Sequence, residues 1–181
     1  MKILIVDMSW KRDSLANDEF CLPIASIAER FGKCEIRHFS EVSSAGLKEY
    51  GRIILSGTCL KDNELANVPE KLAWLKDCGK PVLGICAGMQ IIGLAFGSRL
   101  EKKQEIGMTD IRTVKKNPLF SGKFKAYELH NYSLKASKEF DVLAISRKCS
   151  QAIKHKEKPF YGVLFHPEVR NPGIIERFIS S

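Results

Sequence analysis

The stretch Pro81-Val82-Leu83-Gly84-Ile85-Cys86-Ala87-Gly88-Met89-Gln90, continued by Ile91-Ile92-Gly93-Leu94-Ala95-Phe96-Gly97, decides how the chain is read. It begins as a short apolar run after a Gly-Lys-Pro turn, the pattern of a buried parallel strand. It ends as an amphipathic helix, and the change falls on a cysteine with glycine two residues to either side. Gly-x-Cys-x-Gly is the thiol counterpart of the Gly-x-Ser-x-Gly nucleophile elbow, in which a tight strand-to-helix turn leaves no room for flanking side chains. The nucleophile then sits over a helix N-terminus, where the positive end of the dipole favours a thiolate. The competing reading is a buried cysteine at a turn whose glycines only permit close packing. This stretch alone does not separate the two.

The chain has 181 residues, room for one domain with a sizeable core, and the expectation is a single domain over 1–181. Hydrophobic content of 44% and charged content of 28% are ordinary for a globular protein. Met1-Lys2-Ile3-Leu4-Ile5-Val6-Asp7 reaches a charge too early for a signal peptide, and no apolar run is long enough to span a membrane. Cysteines stand at 21, 34, 59, 78, 86 and 149 with no Cys-x-x-Cys pair, so free thiols in a reducing cytoplasm are expected and a zinc site is not. The net charge of +8 raises the question of nucleic acid, but the basic residues are dispersed in short clusters such as Lys102-Lys103 and Lys115-Lys116. A solvated basic surface is the simpler reading, and a docking face for an acidic protein partner is the functional one.

In chain order, Ile3 to Val6 reads as a first strand, ending at Asp7 where a ligand-facing loop would begin, and residues 10–17 read as loop. Leu22 to Phe31 has helical spacing and stops at Gly32, Cys34 to Phe39 alternates as a strand, and Ile53 to Leu55 is a third strand running into Ser56-Gly57-Thr58. The pattern predicts a helix from Leu65 to Cys78, then the strand Val82–Ile85 before the elbow. Strands alternating with helices imply an α/β fold with a mainly parallel sheet, helices on both faces, and sites at the carboxyl ends of the strands. After Leu100 the short segments 109–114, 124–129, 142–146, 151–154 and 161–165 predict an antiparallel β extension laid against that core in the second half. Residues 173–179 close the chain as an amphipathic helix.

A second stretch, Tyr161-Gly162-Val163-Leu164-Phe165-His166-Pro167-Glu168-Val169, delivers a histidine at a strand end with glutamate two positions on. A cysteine nucleophile needs a base within hydrogen-bond reach, and that base needs an acceptor on its other nitrogen. His166 and Glu168 can fill both roles because residues two apart share a side and proline stiffens the turn between them. Singly, each has a plain explanation, a backbone-bonded histidine and a solvated glutamate. Together with Cys86 they make a catalytic triad.

These pieces, in this order across nearly the whole chain, closely resemble the class I (triad) glutamine amidotransferases: Gly84-Ile85-Cys86-Ala87-Gly88-Met89-Gln90, Ile54-Leu55-Ser56-Gly57 and Phe165-His166-Pro167-Glu168-Val169. Val169, Glu105 to Thr109 and Asn117 to Phe120 lean toward the glutaminase branch of two-subunit GMP synthases. The resemblance implies that Cys86 attacks the side-chain amide of L-glutamine to form a γ-glutamyl thioester, that His166 moves the protons, and that Glu168 holds the imidazole. It implies an oxyanion hole from the backbone of Ala87 and of Gly57 or Thr58, and glutamine recognition by Gln90 and by a loop at His130, Asn131 and Tyr132. The family's glycine-rich oxyanion run is replaced by Ser56-Gly57-Thr58-Cys59, so Thr58 would need a conformation glycine adopts more easily, and the loop would rest inactive until a partner remodels it.

The chain has no phosphate-cradling loop, so no cofactor is expected on it; ATP and magnesium would serve a partner synthetase, an ATP pyrophosphatase of the GMP synthase type. The alternatives are a stand-alone γ-glutamyl hydrolase or peptidase, an amidotransferase subunit of another pathway such as the anthranilate synthase type, and a non-catalytic regulatory protein on this fold.

Overall fold

The computed structural model describes residues 1–12, 14–62, 64–67 and 69–181. Nine strands form one sheet: β1 Lys2–Asp7, β2 Lys33–His38, β3 Arg52–Leu55, β4 Val82–Ile85, β5 Arg99–Thr113, β6 Lys123–Lys135, β7 Phe140–Ile145, β8 Ser150–His155 and β9 Phe160–Val163. Their order is β2-β1-β3-β4-β9-β8-β7-β5-β6. The first five in that order pair in parallel and the rest antiparallel. The antiparallel half is therefore continuous with the parallel half through the β9–β8 ladder, and is not a separate layer laid against it.

Both faces of the parallel half are covered, which is why its strands read as unbroken apolar runs. Alternate residues of β1 point to opposite sides. Ile3 and Ile5 join Ile24, Ala25 and Ala28 of α1 (Leu22–Ala28) and Ile174, Ile175 and Phe178 of α5 (Gly173–Ser180). Leu4 and Val6 join Trp74 and Leu75 of α2 (Trp74–Asp77) and Met89, Ile91 and Ile92 of α3 (Ala87–Ala95). Each such fully buried aliphatic chain contributes about 1.5–3 kcal/mol of transfer free energy.

Several elements differ from the sequence expectation. The helix expected over 65–78 is two 3-10 turns, Glu64–Asn67 and Pro69–Leu72, followed by the single turn of α2, and residue 68 lies outside the described residues. Pro69 is the physical reason, because it lacks the backbone donor that an α-helix continuing through it would need. The loop expected over 10–17, of which residue 13 is not described, turns helical at Leu15 and runs through a π-helical turn, Asn17–Cys21, into α1. The segments 109–114 and 124–129 belong to one long hairpin of β5 and β6, whose exposed positions mix charged residues with Ile106 and Met108 and mask its strand character. Strand β9 ends at Val163, and Pro167 opens α4 (Pro167–Arg170) from its first position, where its missing donor is harmless.

The elbow's glycines are required by packing. A Cβ on Gly84 would stand 2.5 Å from the Gly88 carbonyl carbon and oxygen, and one on Gly88 would stand 2.6 Å from the Leu55 oxygen. Those are backbone atoms that cannot yield without moving α3 off β3 and β4. Gly84→Ala is therefore expected to destabilise the chain by about 1–3 kcal/mol, as overpacking does. Urea unfolding checks this, and a midpoint equal to wild type would refute the packing constraint.

Candidate active site

Cys86 joins β4 to α3 with φ 49° and ψ −103° and is the one non-glycine with positive φ among the described residues. A residue held there costs about 1–3 kcal/mol, so the surroundings must fix it. Its N–H donates to the Val163 carbonyl at 2.8 Å, Gly88 N–H donates to Ser56 O at 3.2 Å, and Gln90 N–H donates to Cys86 O at 3.1 Å. Ala87 is the first residue of α3, so its N–H has no acceptor within the helix, and the residue lines the cavity beside Cys86.

His166 arrives from the end of β9, the strand next to β4, and its ring is 1% exposed. Its Nδ1 lies 2.7 Å from Glu168 Oε1. The pair comes from the start of α4 rather than from a strand end: His166 is the residue before the first turn, and Glu168 lies within that turn. The backbone N–H of His166 donates to Tyr127 O at 2.8 Å, and the ring packs on Phe20 and Tyr127. Gly57 completes this seat, since a Cβ there would come within 2.6 Å of His166 Cε1. Burial opposes charging the ring, but the nearby Cys86 sulfur and the Glu168 carboxylate outweigh it and raise the His166 pKa well above the usual histidine range. In this conformation the thiol points at Leu129 O, Sγ–O 3.7 Å, and His166 Nε2 has no hydrogen-bond partner. Catalytic hydrogen bonds of this kind often tighten only when substrate is bound.

The loop opposite the thiol is folded down. Thr58, Cys59, Leu60, Cys86, Ala87, Gln90, Leu129, His130 and Asn131 enclose a cavity of about 20 Å³. That holds about one water and not an amino acid. Thr58 is buried, its hydroxyl donates to Asp62 O at 3.2 Å, and its φ is not positive, so it does not take the glycine-like conformation. Asn131 pins the loop: its Nδ2 donates to Leu60 O at 3.0 Å, while its Oδ1 accepts from Gln104 Nε2 at 2.6 Å.

Residues 130–132, expected as a loop, lie on β6 opposite a β-bulge between Lys102 and Glu105. The bulge turns this edge of the hairpin toward the thiol. His130 and Asn131 line the cavity, whereas Tyr132 contributes its carbonyl, which accepts from Gln90 Nε2 at 2.7 Å. Asp7, where a ligand-facing loop was expected to begin, is buried and accepts from Ser9 N at 2.9 Å and Ser9 Oγ at 2.6 Å. Sequence reading missed Phe20, Tyr127 and Asn131's hold on Leu60, because each acts across a long sequence separation. It also missed the buried groups around His130, whose pKa is raised to about 9; burial opposes this, and Glu105 and Glu128 drive it.

Comparison with known proteins places this geometry in context. The profile of the family described as Glutamine amidotransferase class-I matches residues 24–173. The chain is 43% identical over 96 residues to the glutamine-hydrolysing subunit of the GMP synthase of Methanocaldococcus jannaschii, covering 49% of this chain and 51% of that protein. It is 35% identical over 130 residues to the same subunit of Pyrococcus furiosus, covering 68% of each. The chain thus spans about half the length of the first of these curated relatives. Among solved structures, a Thermoplasma acidophilum protein described as a candidate subunit of GMP synthase superposes with a TM-score of 0.85 at 25% identity, over 99% of this chain and 92% of that one. A Thermotoga maritima glutamine amidotransferase superposes with a TM-score of 0.73 at 16% identity, over 99% and 98%, and shares the fold.

The raised His166 pKa is directly measurable. Histidine ring NMR should show it holding its proton well above the ordinary value of about 6.5. Because Cys86 and Glu168 both raise it, Cys86→Ala and Glu168→Gln should each lower the titration midpoint. A wild-type ring titrating at the ordinary value, or one indifferent to both substitutions, contradicts the coupling.

Proposed function

The chain belongs to the class-I glutamine amidotransferase family, and on that premise we propose that it hydrolyses glutamine to glutamate and ammonia. The observation that carries this reading is Cys86, held at φ 49° between β4 and α3 beside a His166–Glu168 pair 2.7 Å apart. The thiolate of Cys86 attacks the side-chain amide carbon of glutamine, and the oxyanion is held by the N–H of Ala87 and one from the Gly57–Thr58 loop. One such donor supplies about 3–4 kcal/mol in comparable sites. His166 gives its proton to the departing nitrogen, ammonia leaves, and a γ-glutamyl thioester remains. His166 then takes a proton from water, whose oxygen displaces the sulfur, and glutamate is released with the thiol restored. Glu168 keeps the ring aligned and stabilises it when charged. Gln90 and the backbone at 129–131 contact the amino-acid end of the substrate.

Ammonia is lost by protonation and diffusion in bulk water, so the chemistry requires a consumer at the mouth of the site. The relatives named as glutamine-hydrolysing subunits of GMP synthase support a partner synthetase of that type, aminating XMP to GMP, with ATP and magnesium acting on the partner. The small cavity over Cys86 adds a step: the loop carrying Thr58 and Leu60 must lift before glutamine enters, and partner docking supplies that change.

Ammonia release from glutamine should be slow for the chain alone, rise with a nucleotide-loaded ATP pyrophosphatase partner, and vanish in Cys86→Ala under both conditions. Equal rates for wild type and Cys86→Ala would defeat the proposal. Thr58→Gly removes the Asp62 bond and the restriction on the loop, so partner-free hydrolysis should rise about fivefold, the rate equivalent of one hydrogen bond. An unchanged partner-free rate would mean the loop does not limit turnover.

A further inference from the structure

At the cavity wall lies a buried cluster of which the glutaminase reading uses only His130. Glu105 comes from β5, Glu128 and His130 alternate on β6, and Cys149 sits in the turn between β7 and β8. Glu105, Glu128 and His130 are 6%, 0% and 2% exposed, and Cys149 is half-buried. The ligand-type atoms of Glu105, His130 and Cys149 all lie within 4.8 Å of one another: His130 Nε2 is 3.7 Å from Glu105 Oε2, and Cys149 Sγ is 3.2 Å from Glu105 Oε2, while Glu128 Oε2, 3.2 Å from His130 Nε2, lies outside that set. Bonds of about 2.0–2.3 Å to a tetrahedral zinc ion place ligand atoms about 3.3–3.8 Å apart, so the two distances to Glu105 are close to what such an ion needs.

A second observation is independent of spacing. Both ring nitrogens of His130 and both carboxylate oxygens of Glu128 are buried without a hydrogen-bond partner of acceptable geometry. Groups of this kind are almost always satisfied in folded proteins, and a cation at their centre would satisfy Nε2 and an oxygen of Glu128 together. The surroundings match a metal's outer shell as well. Gln151 Nε2 and Ser146 Oγ donate to Glu105 Oε2 at 2.7 and 3.0 Å and fix its orientation. A surface groove lined by Cys149, Ser146, Lys103, Arg147 and Lys148 gives an entry path, and its three cationic side chains balance the anionic ligands.

We propose that Glu105, His130 and Cys149 form a zinc site that staples β5, β6 and the β7–β8 turn at the cavity wall formed by residues 129–131, with Glu128, 3.2 Å from the His130 ring, turning in to complete it. One imidazole, one thiolate and carboxylate oxygen suit a borderline-soft, four-coordinate ion rather than magnesium or calcium. The triad contributes none of the ligands, although His130 also lines the cavity over Cys86.

The test is Co²⁺ and Zn²⁺ titration of the full chain after chelator treatment. Tetrahedral thiolate-bound Co²⁺ gives visible d–d bands and a near-ultraviolet charge-transfer band at one equivalent per chain, and Zn²⁺ displaces both while raising Tm. The bands should survive in Cys86→Ser, which removes the triad thiol, and disappear in Cys149→Ser and His130→Gln. Gln151→Leu, altering only the outer shell, should weaken affinity about 10–100-fold. Wild-type chain with no bands and no zinc-dependent Tm shift would overturn the proposal. So would bands lost in Cys86→Ser but kept in Cys149→Ser, which would assign the metal to the triad.

Discussion

Everything near the candidate site depends on how closely α3 approaches β3. Gly88 lies so near the Leu55 carbonyl that no side chain fits between them, and Gly88 N–H donates to the neighbouring Ser56 O. That contact sets the angle at which the helix leaves β4. The turn it closes holds Cys86 at a positive φ of 49° at the start of α3. Neighbouring strands then do the rest: β3 runs directly into Gly57 and Thr58, while β9, on the other side of β4, delivers His166. The site thus stands at the carboxyl ends of three adjacent parallel strands, where such sheets place their chemistry.

The antiparallel half supplies the opposite wall. A long hairpin brings residues 129–131 over the elbow, and a bulge on its partner strand aims that edge. Asn131 then ties the hairpin to Leu60 in the loop after β3. The Asn131 side chain therefore connects the wall expected to meet substrate with the loop expected to hold the oxyanion. Opening one disturbs the other, a natural route for a docking partner to act on both. The proposed metal staple lies at that wall and would keep the hairpin rigid while the loop moves.

What could be read from the sequence was local. Gly84, Cys86 and Gly88 mark the elbow because a tight turn dictates residue types at fixed offsets. His166-Pro167-Glu168 shows its pairing within three residues, although the pair sits at a helix start rather than a strand end. The strands of the parallel core stood out because burial on both faces leaves continuous apolar runs. Features built from distant segments were not visible: the seat of His166 on Phe20, Tyr127 and Gly57 draws on three separate elements. The β5–β6 hairpin was underestimated because its exposed positions mix charged residues with Ile106 and Met108 and so break the alternation of apolar and polar residues, and the expected 65–78 helix failed because pattern outweighed Pro69. Cysteine spacing gives no sign of the proposed metal site, because Cys149 meets Glu105 and His130 only through folding. The alternation Glu128-Leu129-His130 on one strand face was the single local hint.

A covalent bond between Cys86 and the glutamyl group is the step on which the proposed chemistry stands, and acid-quenched turnover with glutamine and a nucleotide-loaded synthetase partner tests it directly. Peptide mass spectrometry should find a γ-glutamyl adduct on the peptide containing Cys86 in wild type and none in Cys86→Ala. Ammonia production by wild type with no adduct on Cys86, or with the adduct on another cysteine, would contradict it.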